Sequence, residues 1–122
     1  MKPTDAELAI LQILWEKGPC PVRVVNDELR KHKEVGYTTT LKLMQIMVEK
    51  GIAVRDTRTR KHIYSASIPQ EQTQKSLLDK IANLAFGGSH VQLAMRALGD
   101  DDISMEELQE LKELIKNIEK RS

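Results

Sequence analysis

Polar and mainly uncharged side chains recur along one side of a helix predicted for residues 38–50. At about 100° per residue, this face carries Thr38, Thr39, Lys42, Gln45, Ile46 and Glu49. Glutamine pairs with adenine, lysine donates to guanine acceptors, and an aliphatic side chain such as Ile46 contacts a thymine methyl group. The spacing alone equally fits an ordinary amphipathic helix with a solvated face. The position of the helix, after a shorter helix and before a hairpin, favours recognition of DNA bases in the major groove.

A basic segment follows, in a β-hairpin predicted over residues 55–64. It holds four cations within seven residues: Arg55, Arg58, Arg60 and Lys61. Exposed turns often carry charge, but a turn with four cations and one acid favours contact with a polyanion. Such cations bind phosphates, which strengthens binding without specifying sequence.

The elements that must position these residues are readable from capping and periodicity. Thr4 and Glu7 form a capping box that begins a first helix, and Gly18-Pro19 ends it near Lys17. A second helix is expected after Pro21. The third begins at Thr38 or Thr39, ends at Lys50, and turns Thr40, Leu43, Met44 and Met47 towards the core. Alternating residues 52–57 and 62–66 then predict two strands.

These features predict a mainly α fold with a small β-hairpin wing. Residues 1–68 form a winged helix-turn-helix DNA-binding domain, and Pro69 marks its end. Three more helices are expected, over about 70–86, 89–98 and 104–120, with Gly87-Gly88 between the first two and a second capping box at Ser104 and Glu107.

Residues 69–122 are predicted to form a helical dimerisation domain. A segment of this size is marginal for an independent core, yet apolar side chains recur on one stripe of each helix. A second copy of the chain is the simplest partner for these stripes. The residues expected at this interface are Leu77, Leu78, Ile81, Leu84, Val91, Met95, Leu108, Leu111, Ile115 and Ile118.

Charge divides the chain in the same way. Residues 1–68 hold 12 Lys and Arg against 8 Asp and Glu, whereas residues 69–122 hold 7 against 10. A basic front half and an acidic back half indicate that the front half meets a polyanion. The single cysteine excludes an internal disulfide. No secretion signal or membrane span is predicted, so we expect no membrane insertion and a cytoplasmic location.

No catalytic residue, cofactor or metal site is predicted. His32, His62 and His90 are scattered, and Cys20 has no His–Asp partners at a useful spacing. The acidic run 100–102 precedes a helix N-terminus, where acids are favoured, and it lacks the spacing of a calcium loop.

The motifs together resemble one family of bacterial regulators. The segments DAELAILQILWEKGP, VRVVNDEL, GYTTTLKLMQIMVEKGIAVRD and KHIYSA are similar to the penicillinase repressor family, which includes methicillin-resistance and copper-responsive repressors. The resemblance runs from about Thr4 to Lys120. It implies a dimer that binds a palindromic operator and represses transcription. It also implies, in the antibiotic-resistance branches, a membrane sensor-linked peptidase as a partner that triggers cleavage in the dimerisation region.

Two departures limit what the resemblance implies. The copper-responsive branch ends in a Cys-x-Cys motif, whereas this chain has no cysteine after Cys20, so copper sensing is not expected. The cleaved bond of the antibiotic branch is an Asn-Phe step, and the matching helix here reads LAMRAL from Leu93 to Leu98. Cleavage near Ala94–Ala97 is the remaining expectation.

Two other functions stay open from the sequence. A winged helix can serve as a protein-protein interaction module, with DNA binding incidental. The chain can also be a small-molecule-gated regulator, although four aromatic residues (one Phe, two Tyr, one Trp) offer little for an aromatic ligand pocket.

Overall fold

A computed structural model describes residues 2–122. The elements, in chain order, are α1 (Asp5–Lys17), β1 (Cys20–Pro21), α2 (Val22–Arg30), α3 (Tyr37–Glu49), β2 (Ala53–Asp56), β3 (Ile63–Ala66), α4 (Gln70–Ala85), α5 (His90–Gly99) and α6 (Met105–Arg121). Contacts divide the chain into two compact units between Lys75 and Ser76. The domain boundary predicted at Pro69 stays a prediction.

Capping boxes begin α1 and α6 as the sequence predicts, and a glycine ends α1. The Thr4 hydroxyl accepts from the Glu7 N–H, while the Glu7 carboxylate accepts from the Thr4 N–H, which completes the first capping box. Gly18 follows α1 with a φ of 80°, a backbone conformation that favours glycine. Ser104 and Glu107 form the second capping box in the same way.

A small antiparallel sheet with strand order β1-β3-β2 packs beside these helices. The β2–β3 hairpin was predicted, and Arg55 lies opposite Tyr64 in it. Strand β1 was not predicted: Cys20 pairs with Tyr64 and Pro21 with Ile63. A strand of two residues is too short to show a periodic pattern in the sequence. Pro21 has no backbone N–H to donate, and it is tolerated because β1 is an edge strand of the sheet.

The core of the first unit is built from aliphatic side chains and one aromatic. Helices α1, α2 and α3 meet the sheet over the fully or nearly fully buried side chains of Ile10, Leu11, Leu14, Val22, Val25, Met44, Met47, Ile52 and Tyr64. Helix α3 starts at Tyr37, one or two residues before the predicted start at Thr38 or Thr39. Helix α1 also contacts the segment that follows β3, since Trp15 Nε1 donates to the Ile68 carbonyl oxygen at 3.0 Å.

The second unit buries far fewer apolar side chains than the first. Gly87 and Gly88 end α4 with positive φ values of 57° and 84°, as predicted from the glycine pair. Among residues 76–122, Ala82 is the only apolar side chain that is buried. Nowhere in residues 2–122 does a helix combine the length and apolar character needed to cross a membrane.

Candidate nucleic-acid interface

Helix α3 separates a buried face from an exposed polar face. Thr40, Met44 and Met47 are at most 1% exposed and fix the helix in the core. On the other side, Thr38, Thr39, Lys42 and Gln45 are exposed, and Ile46 is half-buried. The predicted base-reading residues therefore share one accessible face of one rigid helix.

Sequence reasoning missed an aromatic residue at the start of this face. Tyr37 is the first residue of α3 and is 48% exposed. It escaped notice because the helix was expected to begin one or two residues later. Gly36 precedes it in an extended conformation and supplies no side-chain cap.

A buried amide sets how α2 meets α3. Asn26 Nδ2 donates to Thr40 Oγ1 at 2.8 Å and to the Val35 carbonyl oxygen at 3.2 Å. The Thr40 hydroxyl in turn donates to the Gly36 carbonyl oxygen at 3.3 Å. Both side chains are buried, with Asn26 only 4% exposed. The network ties the helix that precedes the turn to the turn itself and to α3.

Asn26 was not predicted to matter, but its position carries a signal. It follows Val22 by four residues and precedes Leu29 by three, so it lies on the apolar face of α2. A polar side chain on such a face needs a hydrogen-bonding partner. The sequence does not say which residue provides it.

The C-terminal end of α3 is anchored by an ion pair with α1. Lys50 Nζ lies 2.5 Å from Glu7 Oε1, and the Glu7 side chain is 3% exposed. Burial by itself raises the pKa of the Glu7 carboxyl. The hydrogen bonds from Lys50 and from the Thr4 N–H, with the positive charge of Lys50, outweigh burial and hold the pKa below its ordinary value. The charged carboxylate is therefore the form that the fold stabilises.

The hairpin places the four predicted cations on an exposed wing, defined here as residues 55–64. Arg55, Arg60 and Lys61 are exposed, and within the described chain none of them forms an ion pair. Arg58 differs from them. Its Nε lies 3.0 Å from Asp56 Oδ1, and its Nη2 lies 2.7 Å from Asp56 Oδ2.

The Asp56 carboxylate also accepts the backbone N–H of Arg58, at 3.0 Å. These hydrogen bonds, first from the guanidinium and then from the backbone, lower the pKa of Asp56 to about 2. Asp56 therefore stays charged at any physiological pH. The sequence predicts that Asp56 and Arg58 both lie in the hairpin, but it does not predict that they form an ion pair.

The residues predicted for dimerisation all lie in the second unit, on α4, α5 and α6. Leu77, Leu78, Ile81, Leu84, Val91, Met95, Ile115 and Ile118 are exposed, whereas Leu108 and Leu111 are half-buried. Leu84 is 75% exposed, and Leu77, Leu78 and Ile81 on the same helix are exposed with it, so α4 presents several apolar side chains to solvent. Within this unit, His90 Nε2 contacts Asp79 Oδ1 at 2.7 Å and links α5 to α4.

The residues with metal-binding or nucleophilic chemistry stay apart. Across residues 2–122, no three His, Cys, Asp or Glu side chains are grouped so that they could hold a metal ion. Cys20 is buried, and burial raises the pKa of its thiol more than the nearby Lys17 lowers it. The thiol is thus held protonated, which is the unreactive form.

Helices α1 to α3 with the small antiparallel sheet define a winged helix-turn-helix, in which α3 takes the place of the recognition helix and the β2–β3 hairpin is the wing. The chain belongs to the penicillinase repressor family, whose sequence model matches residues 3–117. The family comprises transcriptional repressors that bind DNA and are not enzymes. The resemblance noted from the motifs is thereby confirmed.

Two relatives show how far the similarity extends. The penicillinase repressor of Staphylococcus aureus is 23% identical over 116 residues, which cover 95% of this chain and 92% of that protein. The penicillinase repressor of Bacillus licheniformis is 21% identical over 118 residues, covering 97% of this chain and 92% of that protein. Both alignments include the winged helix and the C-terminal helices.

Proposed function

We propose that this transcriptional repressor acts as a homodimer that binds a palindromic operator through α3 and the wing. The proposal rests on one observation, the separation of α3 into a buried apolar face and an exposed polar face. Its inner face is fixed in the core by Met44 and Met47, while Thr38, Lys42 and Gln45 stand free on the outer face. A helix held rigidly with an accessible polar face suits insertion into the major groove.

The two parts of the surface have different tasks in this proposal. Lys42 and Gln45 contact base edges, and Ile46 contacts a thymine methyl group. Thr38 and Thr39 contact phosphates beside the groove. The wing cations Arg55, Arg60 and Lys61 bind the backbone, together with Arg58 when it is released from Asp56, and they add affinity for any sequence.

The apolar surface of residues 69–122 supports the proposed dimerisation. A unit with Ala82 as its only buried apolar side chain has gained little hydrophobic stabilisation from its own folding. Its exposed Leu, Ile, Val and Met side chains are stabilised if a second copy covers them. Two recognition helices held roughly 34 Å apart, or a multiple of that distance, then meet successive half-sites of a palindrome.

Relief of repression by proteolysis is the regulatory part of the proposal, with a membrane sensor-linked peptidase as the partner. Helix α5 supports it, because none of its residues is buried and Ala94 to Ala97 are exposed. Within one chain α5 has few packing contacts, so the local opening that a peptidase requires is opposed mainly by the proposed dimer contacts of Val91 and Met95. Cleavage there would separate the apolar stripes of α4 and α6 and weaken the dimer.

Selection of bound fragments from random and genomic DNA tests the operator proposal. The expected result is one enriched palindrome, bound as two protein chains per duplex in sedimentation. Recovery of unrelated fragments with no common motif would contradict operator binding. Absence of any salt-sensitive DNA binding would favour the protein-interaction function instead.

A further inference from the structure

The wing contains a carboxylate that competes with DNA phosphates for one of its own cations. Arg58 presents Nε and Nη2 to the two oxygens of Asp56, at 3.0 and 2.7 Å. This is the same pair of donors with which an arginine binds a phosphate bidentately. Asp56 therefore occupies one of the two edges through which the Arg58 guanidinium can bind a phosphate bidentately.

A contribution to folding stability does not explain the ion pair between Asp56 and Arg58. The Arg58 side chain is 88% exposed, and ion pairs between exposed side chains contribute little to folding. The neighbouring cations Arg55, Arg60 and Lys61 have no such acid within the part of the chain that the structure describes. The pair instead reduces the positive charge that the wing can offer to a ligand.

We propose that Asp56 limits the affinity of the wing for DNA by holding the guanidinium of Arg58. The inference rests on the proposed contact between wing and DNA and adds a residue that opposes it. Phosphates are common to all sequences, so Asp56 lowers binding to operator and non-operator DNA alike. Sequence preference stays with α3. The wing thus binds DNA with fewer free cations than its sequence contains, which keeps the complex easier to dissociate.

The test is Asp56→Asn in the full-length chain. The amide oxygen of asparagine still accepts the Arg58 backbone N–H, so the turn is preserved, while the charge that holds the guanidinium is gone. One additional phosphate contact steepens the slope of log K against log salt by about 0.9, which amounts to about a fivefold gain at ~0.15 M salt relative to ~1 M. Fluorescence anisotropy should show this gain on an operator duplex and on a random duplex.

Two further variants separate this mechanism from a general change in charge. Glu16→Gln removes an exposed acid from α1 and should leave the affinity and the slope unchanged. Arg58→Gln alone should have a small effect, and in its presence Asp56→Asn should lose most of its gain. A gain that persists without Arg58 would mean simple repulsion of phosphate by Asp56 and would overturn the inference.

Failure of the inference is distinguishable from failure of the proposed function. If wild-type protein binds both duplexes with salt sensitivity but Asp56→Asn binds no tighter, only the role of Asp56 is wrong. If the wild-type protein shows no salt-sensitive binding, DNA binding by the wing and the inference built on it are both overturned. Trp15 fluorescence, which reports the packing of α1, verifies that each variant is folded.

Discussion

Asn26 and Thr40 meet inside the helix-turn-helix, where Asn26 Nδ2 donates to Thr40 Oγ1 over 2.8 Å. Thr40 is the residue of α3 that faces the turn, and its neighbours Thr38 and Thr39 lie on the exposed face. The direction of α3, and with it the direction of its polar face, depends on this bond and on the Val35 and Gly36 carbonyl groups that complete the network.

Removal of the Asn26 side-chain amide should destabilise the first unit. Asn26→Ala leaves the Val35 carbonyl without its donor and should lower the free energy of unfolding by about 1–3 kcal/mol. Combined with Thr40→Val, the two changes should be non-additive because the residues share one bond. Urea unfolding followed by the fluorescence of Trp15, the sole tryptophan, measures both effects. Gln12→Ala, an exposed amide on α1, is the control. Additive losses would show that the bond is energetically unimportant.

Base reading and phosphate binding should respond differently to mutation. Lys42→Ala and Gln45→Ala should each weaken operator binding by about 1–3 kcal/mol and relax the preference at the contacted base pair. Arg60→Ala should weaken all duplexes alike and reduce the salt slope by about 0.9. Arg60 is the better wing residue for this comparison because Asp56 holds Arg58.

Competition gel shifts with operator and scrambled duplexes separate the two behaviours. Lys112→Ala, an exposed lysine on α6, controls for the loss of a positive charge far along the chain from α3. Unchanged preference in both α3 variants would remove α3 from the base-reading role.

The Glu7–Lys50 pair predicts a component of acid sensitivity. The pKa of Glu7 is lowered in the folded chain, so its contribution to stability is fully present above the ordinary glutamate value near 4.5 and is lost as the pH falls through the lowered value. Glu7→Gln should therefore cost about 1.5–3 kcal/mol at neutral pH, with the difference from wild type shrinking below pH 4.5.

Urea unfolding at a series of pH values measures this difference. Glu34→Gln, an exposed acid between α2 and α3, is the charge-matched control. A Glu7→Gln deficit that stays constant down to pH 3 would show that packing, not the ion pair, is what the substitution removes.

Local signals predicted the helices well because capping and periodicity act within a few residues. Thr4 with Glu7 and Ser104 with Glu107 are capping boxes in the structure as in the sequence. The two-residue strand β1 was missed because its partner, Tyr64, is distant in the chain. Likewise, the polar position of Asn26 is readable on the face of α2, but its bond to Thr40 depends on the angle between two helices. The Asp56–Arg58 pair depends on turn geometry that composition does not encode.

The final prediction concerns the apolar stripe of α6. Leu111 is half-buried and Ile115 is 56% exposed, and they lie four residues apart on one side of the helix. Leu111→Lys with Ile115→Lys places two cations where a second copy is proposed to pack, so sedimentation at micromolar concentration should give a monomer. Operator affinity should fall steeply, because each monomer then binds one half-site without the other.

The matched control is Gln109→Lys with Asn117→Lys, which adds the same two positive charges to exposed polar positions of α6 and should remain dimeric. Trp15 fluorescence should be native in both double variants, since Trp15 packs within the first unit. A monomeric wild-type protein would reject dimerisation through this surface. A dimer that survives both stripe substitutions would place the interface on other residues of the chain.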